Sequence, residues 1–253
     1  MRVTFLGTGT SQGVPVIGCT CEVCQSLNFK DKRLRTSVHI QVDDKSFVID
    51  TGPDFRQQIL RERINTLDAV IYTHEHKDHT AGLDDIRAFN FRQKKDMPVY
   101  ARPQVIEQLK REFSYIFSEK KYPGIPQVAT HEIQNKPFEI EGVTFTPIEV
   151  MHLNLPVYGY RVGDFTYITD ANHISDIERQ KIKGSKVLVL NALQKEPHIS
   201  HFNLEEAIEE AKDLGAETTY FLHISHRMGK HKIIEKSLPD NIHLAYDGLS
   251  IDI

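Results

Sequence analysis

The chain has 253 residues, with 31 Lys plus Arg against 35 Asp plus Glu, 40% hydrophobic residues and no tryptophan. It reads as a soluble globular protein of one large α/β domain or two small ones. A net charge of −4 argues against a general nucleic-acid binder, and neither a run of about 18 apolar residues nor a signal-peptide pattern is present, so a cytoplasmic protein without membrane association is expected.

Short β-branched runs bounded by Gly, Pro, Asp or Asn predict strands at 3–6, 38–42, 47–49, 69–72, 143–148, 158–162, 166–168, 187–190, 219–222 and 242–246. Helical spacing predicts helices over 53–63, 103–117, 204–214 and 233–237. Pro53 and Pro103 suit a first helical position, while Asn203 and Gly215 suit the two caps of the third helix. Strands dominate both halves, so an α+β or layered αββα arrangement fits better than a doubly wound parallel sheet. With no linker or repeat, residues 1–253 read as a single domain. Residues 113–127 mix aromatics with Gly and Pro and suit either a lid or a surface excursion.

In chain order, the first chemical signal is Cys19, Cys21 and Cys24 after a Gly/Thr-rich loop. Three thiols this close together are odd in number for a disulfide framework and read as metal ligands. A tetrahedral zinc would need a fourth ligand from elsewhere. Asp50 ends a strand and suits the opening of a turn before Gly52-Pro53. The sharpest signal follows the strand at 69–72: His74-Glu75-His76-Lys77-Asp78-His79. A strand end turning into a helix directs His74 and His76 one way and Asp78 and His79 another, and imidazole with carboxylate suits Zn, Mn or Fe. His152, Asp170 and His223 each follow an apolar strand. Any one alone suits a turn cap; together they complete three ligands per metal plus one bridging carboxylate.

These motifs resemble the metallo-β-lactamase-fold hydrolases, whose HxHxDH reads HEHKDH here, with His152, Asp170 and His223 matching the later ligands in order. The resemblance covers nearly the whole chain and implies a four-layer αββα sandwich with the site at one edge. It implies that His74, His76 and His152 hold one divalent metal, Asp78, His79 and His223 the other, and that Asp170 bridges them. The CxCxxC loop is similar to that of the PhnP-type phosphodiesterases of the carbon–phosphorus lyase pathway, which implies a structural zinc on Cys19, Cys21, Cys24 and His226. The segment HISHFNLEEA resembles the family motif that brings a proton donor to the site, with His201 as that residue and His198 as its rival.

The expected activity is hydrolysis of a small cyclic phosphodiester, such as a phosphoribosyl 1,2-cyclic phosphate, by a hydroxide held between two Zn or Mn ions, with His201 and Asp78 serving the chemistry. Arg87, Arg92 and Lys94 are candidate cationic contacts. A tRNA 3′-processing endonuclease would run nearly the same chemistry but needs a basic arm. Carbon ester, thioester or lactam hydrolysis and a noncatalytic zinc-bound scaffold are further alternatives. Family resemblance implies a homodimer.

Overall fold

The computed structural model describes residues 1–118 and 122–253. One sheet is built from β1 Arg2–Gly7, β2 Ser37–Val42, β3 Lys45–Ile49, β4 Ala69–Ile71, β5 Met97–Ala101 and β6 Val128–Glu132. The other comprises β7 Phe138–Ile140, β8 Val143–His152, β9 Leu155–Val162, β10 Phe165–Tyr167, β11 His173–Ile174, β12 Val187–Asn191, β13 Thr218–Leu222 and β14 Ile242–Leu244. Strand β15, Ser250–Asp252, then pairs antiparallel with β1.

Strand alternation explains the layering. In β4, Ala69 and Ile71 face the core between the sheets, whereas Val70 joins a second core under the helices. In β12, Val189 points between the sheets and Leu188 and Leu190 point away from them. Strands covered on both faces read as continuous apolar runs. Helices α1 Phe55–Glu62, α2 Lys77–Thr80, α3 Arg87–Gln93, α4 Pro103–Glu112 and α5 Ser114–Phe117 follow strands of the first sheet, with Phe55, Phe89 and Leu109 packed on it. Helices α6 Asp176–Ile182, α7 Leu204–Leu214 and α8 His231–Glu235 cover the second through Ile182, Ala211 and Ile234. The result is the αββα sandwich that the resemblance implies.

Strands β3 and β4 run parallel, as do β10, β12 and β13, and β8 shares the direction of β10 through the intervening antiparallel β9. Their carboxyl ends therefore gather at a common edge of each sheet. Several expectations shift. Pro53 lies ahead of the N-cap Asp54 rather than inside α1, and the helix expected over 103–117 breaks at Phe113. In the stretch 113–127, Phe113, Ile116 and Ile125 are buried in the helix-covered core; residues 119–121 lie outside the described residues.

Candidate metal centre

Five strand ends supply the site: Asp50 follows β3, the HEHKDH segment follows β4, His152 ends β8, Asp170 follows β10 and His223 follows β13. Asp50, Asp170 and His223 have left-handed backbones, with φ of 65°, 57° and 56°. Such conformations at non-glycine residues cost about 1–3 kcal/mol each and persist only where the surroundings hold them. At Asp50 the holding groups are visible: Oδ1 accepts from the Thr73 amide at 2.9 Å, and Oδ2 accepts from Thr73 Oγ1 at 2.8 Å and from His79 Nδ1 at 2.7 Å.

Hydrogen bonds to the far nitrogen fix which nitrogen of each ring is left free. His79 Nδ1 donates to Asp50, and His152 Nδ1 donates to the Ser200 carbonyl at 2.9 Å. Thr73 Oγ1, committed as a donor to Asp50, accepts from His74 Nδ1 at 2.9 Å. In each of these rings Nε2 is therefore the nitrogen left for a metal, which would displace any proton held there. The Thr73 hydroxyl and the Ser200 carbonyl had no recognisable mark in the sequence.

Ligand atoms of Asp78, His79, Asp170 and His223 all lie within 4.8 Å of one another. Asp170 reaches His79 Nε2 at 3.3 Å with Oδ2, and His223 Nε2 at 3.2 Å with Oδ1. His74, His76 and His152 cluster beside them, with His74 Nε2 3.0 Å from His76 Nδ1 and ring centroids of His76 and His152 5.2 Å apart. Ligand atoms of Asp170, His152 and His201 also lie within 4.8 Å of one another. His79 Nε2 and both ring nitrogens of His223 are buried without a hydrogen-bond partner. Orphaned buried nitrogens are costly unless a cation takes their lone pairs, and three carboxylates crowd the same space. The donor set fits two divalent ions.

Electrostatics agree. Burial alone would raise the Asp170 carboxyl, but the imidazoles of His223 and His79 outweigh it and hold it well below the usual carboxylate range. Burial likewise holds the His74 imidazole well below its usual range. His201 is buried, with Nε2 3.1 Å from Asp170 Oδ1 and its ring stacked on His223 at 4.8 Å. Burial lowers its pKa to about 4, which disfavours the imidazolium that a proton donor needs. His198 is exposed, with Nδ1 3.3 Å from His201 Nδ1.

A second cluster lies on the N-terminal loop. Ligand atoms of Cys19, Cys21, Cys24 and His226 fall within 4.8 Å of one another. His226 Nδ1 is 3.3 Å from Cys19 Sγ and 3.4 Å from Cys21 Sγ, close to the roughly 3.5 Å set by one tetrahedral zinc. The Cys24 amide, donating to Cys21 Sγ, helps to lower that thiol to about 6, whereas burial raises Cys24 to about 11.

Other candidates fall elsewhere. Arg87 pairs with Asp84, and with Arg92 it lines a different cavity; Lys94 is the left-handed C-cap of α3. His173 is exposed, and its neighbour Asn172 makes the useful contacts, accepting from the Leu153 amide and donating to the Ile199 carbonyl. Arg227, exposed in the turn that carries His226, acts electrostatically on His198; as an isolated surface cation it gave no signal in the sequence.

Comparison with known proteins follows the same lines. A family model described as a beta-lactamase superfamily domain matches residues 45–224. The crystal structure of a diphosphatase from the PhnP family superposes with a TM-score of 0.93 at 42% identity, covering 100% of this chain and 97% of that one. Zinc-bound PqqB from Methylobacterium extorquens superposes with a TM-score of 0.81 at 19% identity over 100% of both chains, a likeness of fold alone. An octanoyltransferase of Porphyromonas gingivalis is 39% identical over 252 residues, which is 98% of this chain and 51% of that protein. The chain thus spans about half the length of this curated relative. No helix among the described residues is long and apolar enough to cross a membrane.

Proposed function

The chain belongs to the beta-lactamase superfamily and, within it, to the PhnP family, and from that premise we propose that it is a metal-dependent phosphoric diester hydrolase acting on a small cyclic phosphodiester. His74, His76 and His152 would hold one divalent ion, Zn or Mn, and Asp78, His79 and His223 the other, with Asp170 between them. Two such ions polarise a phosphoryl oxygen and lower the pKa of a water beside it. Asp50 and Thr73 hold the imidazoles in the required tautomers, and Cys19, Cys21, Cys24 and His226 would take a structural zinc.

The observation that carries the reading is His201, stacked on His223 with Nε2 3.1 Å from Asp170. A sugar alkoxide is a poor leaving group and needs a proton, which a positioned histidine supplies. The pKa of about 4 means that the free site holds His201 neutral. An anionic phosphoryl group beside it favours the protonated form, so His201 would take up a proton from solvent as substrate binds. A diphosphate is the second reading, favoured by the activity named for the 42%-identical relative. Its leaving phosphate is far less basic and makes little use of a donor. Acyl transfer, named for the octanoyltransferase, is a property of a protein of which this chain matches 51%, and the chain's three thiols face His226 rather than the His/Asp cluster. The net charge of −4 gives no electrostatic term for gripping tRNA.

His201→Ala tests the assignment. With metal content unchanged, turnover of a ribosyl cyclic phosphate should fall by about 10²–10⁴, while bis(p-nitrophenyl) phosphate, whose phenolate leaves almost unaided, should lose far less. Equal losses on both substrates would reassign His201 to phosphate positioning; a lost ion would make it a ligand.

A further inference from the structure

A cavity of about 540 Å³ lies between α1 and α3 and shares no residue with either cluster of metal-binding groups. Its volume falls within the roughly 300–1,000 Å³ of small-molecule sites. Part of its wall is apolar: Phe55 and Phe89 are buried beneath it, with Ile59 and Ile64 beside them. Leu60, also lining it, and Phe91 beside Arg92 are 60% and 66% exposed, an apolar surface of the kind that marks interaction sites. Around this apolar floor stand Arg56, Arg87 and Arg92, against one carboxylate, Asp85. Arg87 is committed to Asp84. Among the described residues neither Arg56 nor Arg92 forms a salt bridge, although the charge of Arg56 bears on Asp85.

We propose that this cavity binds an anionic amphiphile, a carboxylate with an aliphatic chain, whose tail lies on Phe55, Ile59 and Phe89 and whose head meets Arg56 and Arg92. The charge pattern selects this occupant. A second copy of the chain docking by two-fold symmetry would bring the same arginines towards each other, and a neutral apolar ligand would leave the guanidinium rim unused. A concave site suits a single molecule better than a flat lipid surface.

Calorimetric titration of the metal-replete protein with decanoate, in buffer containing inorganic phosphate to occupy the His/Asp centre, tests the proposal. Saturable binding of one decanoate per chain is expected, with decan-1-ol and decylammonium much weaker. Arg56→Gln with Arg92→Gln should weaken decanoate by at least about tenfold. Ala88→Trp, at an exposed lining position, should block it while leaving melting and phosphodiester turnover unchanged. Decanoate and decanol binding alike, decanoate binding that survives Ala88→Trp, binding that phosphate abolishes, or binding only to phosphatidylglycerol vesicles would each overturn it.

Discussion

Asp50 illustrates how one side chain outside the proposed ligand set can govern several within it. Its carboxylate holds His79 directly and His74 through the Thr73 hydroxyl. Removing such a partner typically costs 10–100-fold in metal affinity, so Asp50→Ala should lose active-site metal on dialysis against a weak chelator while keeping the cysteine-bound zinc. Elemental analysis distinguishes the two; retention of all metal would mean that the rings are held by packing alone. His39 shows the opposite use of a histidine. Ser46 Oγ donates to the Thr66 carbonyl and so accepts from His39 Nε2, and burial lowers the His39 pKa from its ordinary 6.5 to about 4. A folded pKa below the unfolded one gives stability that is complete above pH 6.5 and lost as pH falls towards 4. Its share lost between pH 7 and pH 5 is roughly 2 kcal/mol. Denaturant unfolding at both pH values should show a smaller drop for His39→Gln than for the wild type; equal drops would assign the acid sensitivity to other groups.

Among the elements, the cysteine loop and α7 carry the clearest expectations. Cys21→Ala or His226→Ala should lower the melting temperature sharply while turnover per folded molecule changes little, because a structural site is coupled to folding. Unchanged melting with abolished turnover would make the cluster catalytic. Asn203 forms a capping box with Glu206 directly after the segment carrying His201. Asn203→Ala should cost about 1 kcal/mol, read in chemical denaturation; no loss would show the helix start to be held by packing alone. These features were legible because cap, stop and spacing agree locally. Strand β5 was not, since Pro98 argues against a strand interior; pairing with β4 begins only at Val99, so no ladder bond is lost there. Strand β6 is polar and largely exposed along the sheet edge and lacks an apolar run. The proposed ligands announced themselves by type and order. The left-handed turns that aim Asp50, Asp170 and His223 did not, because none falls on a glycine.

At the scale of the molecule, the sandwich gathers the ends of strands from both sheets, so that residues as distant in sequence as Asp78 and His223 bring ligand atoms within 4.8 Å of each other. The buried carboxylates and imidazoles gathered there suit the binding of divalent cations. Phosphorus as the proposed target rests on His201 beside Asp170 and on the likeness to a PhnP-family diphosphatase. The most direct measurement is kcat/KM of the metal-replete protein across a ribosyl 1,2-cyclic phosphate, a small diphosphate, precursor tRNA, a thioester and a lactam. The cyclic phosphate should be turned over best, with the thioester and lactam near background. Efficient turnover of the thioester or lactam, with both phosphorus substrates inert, would contradict the proposed function.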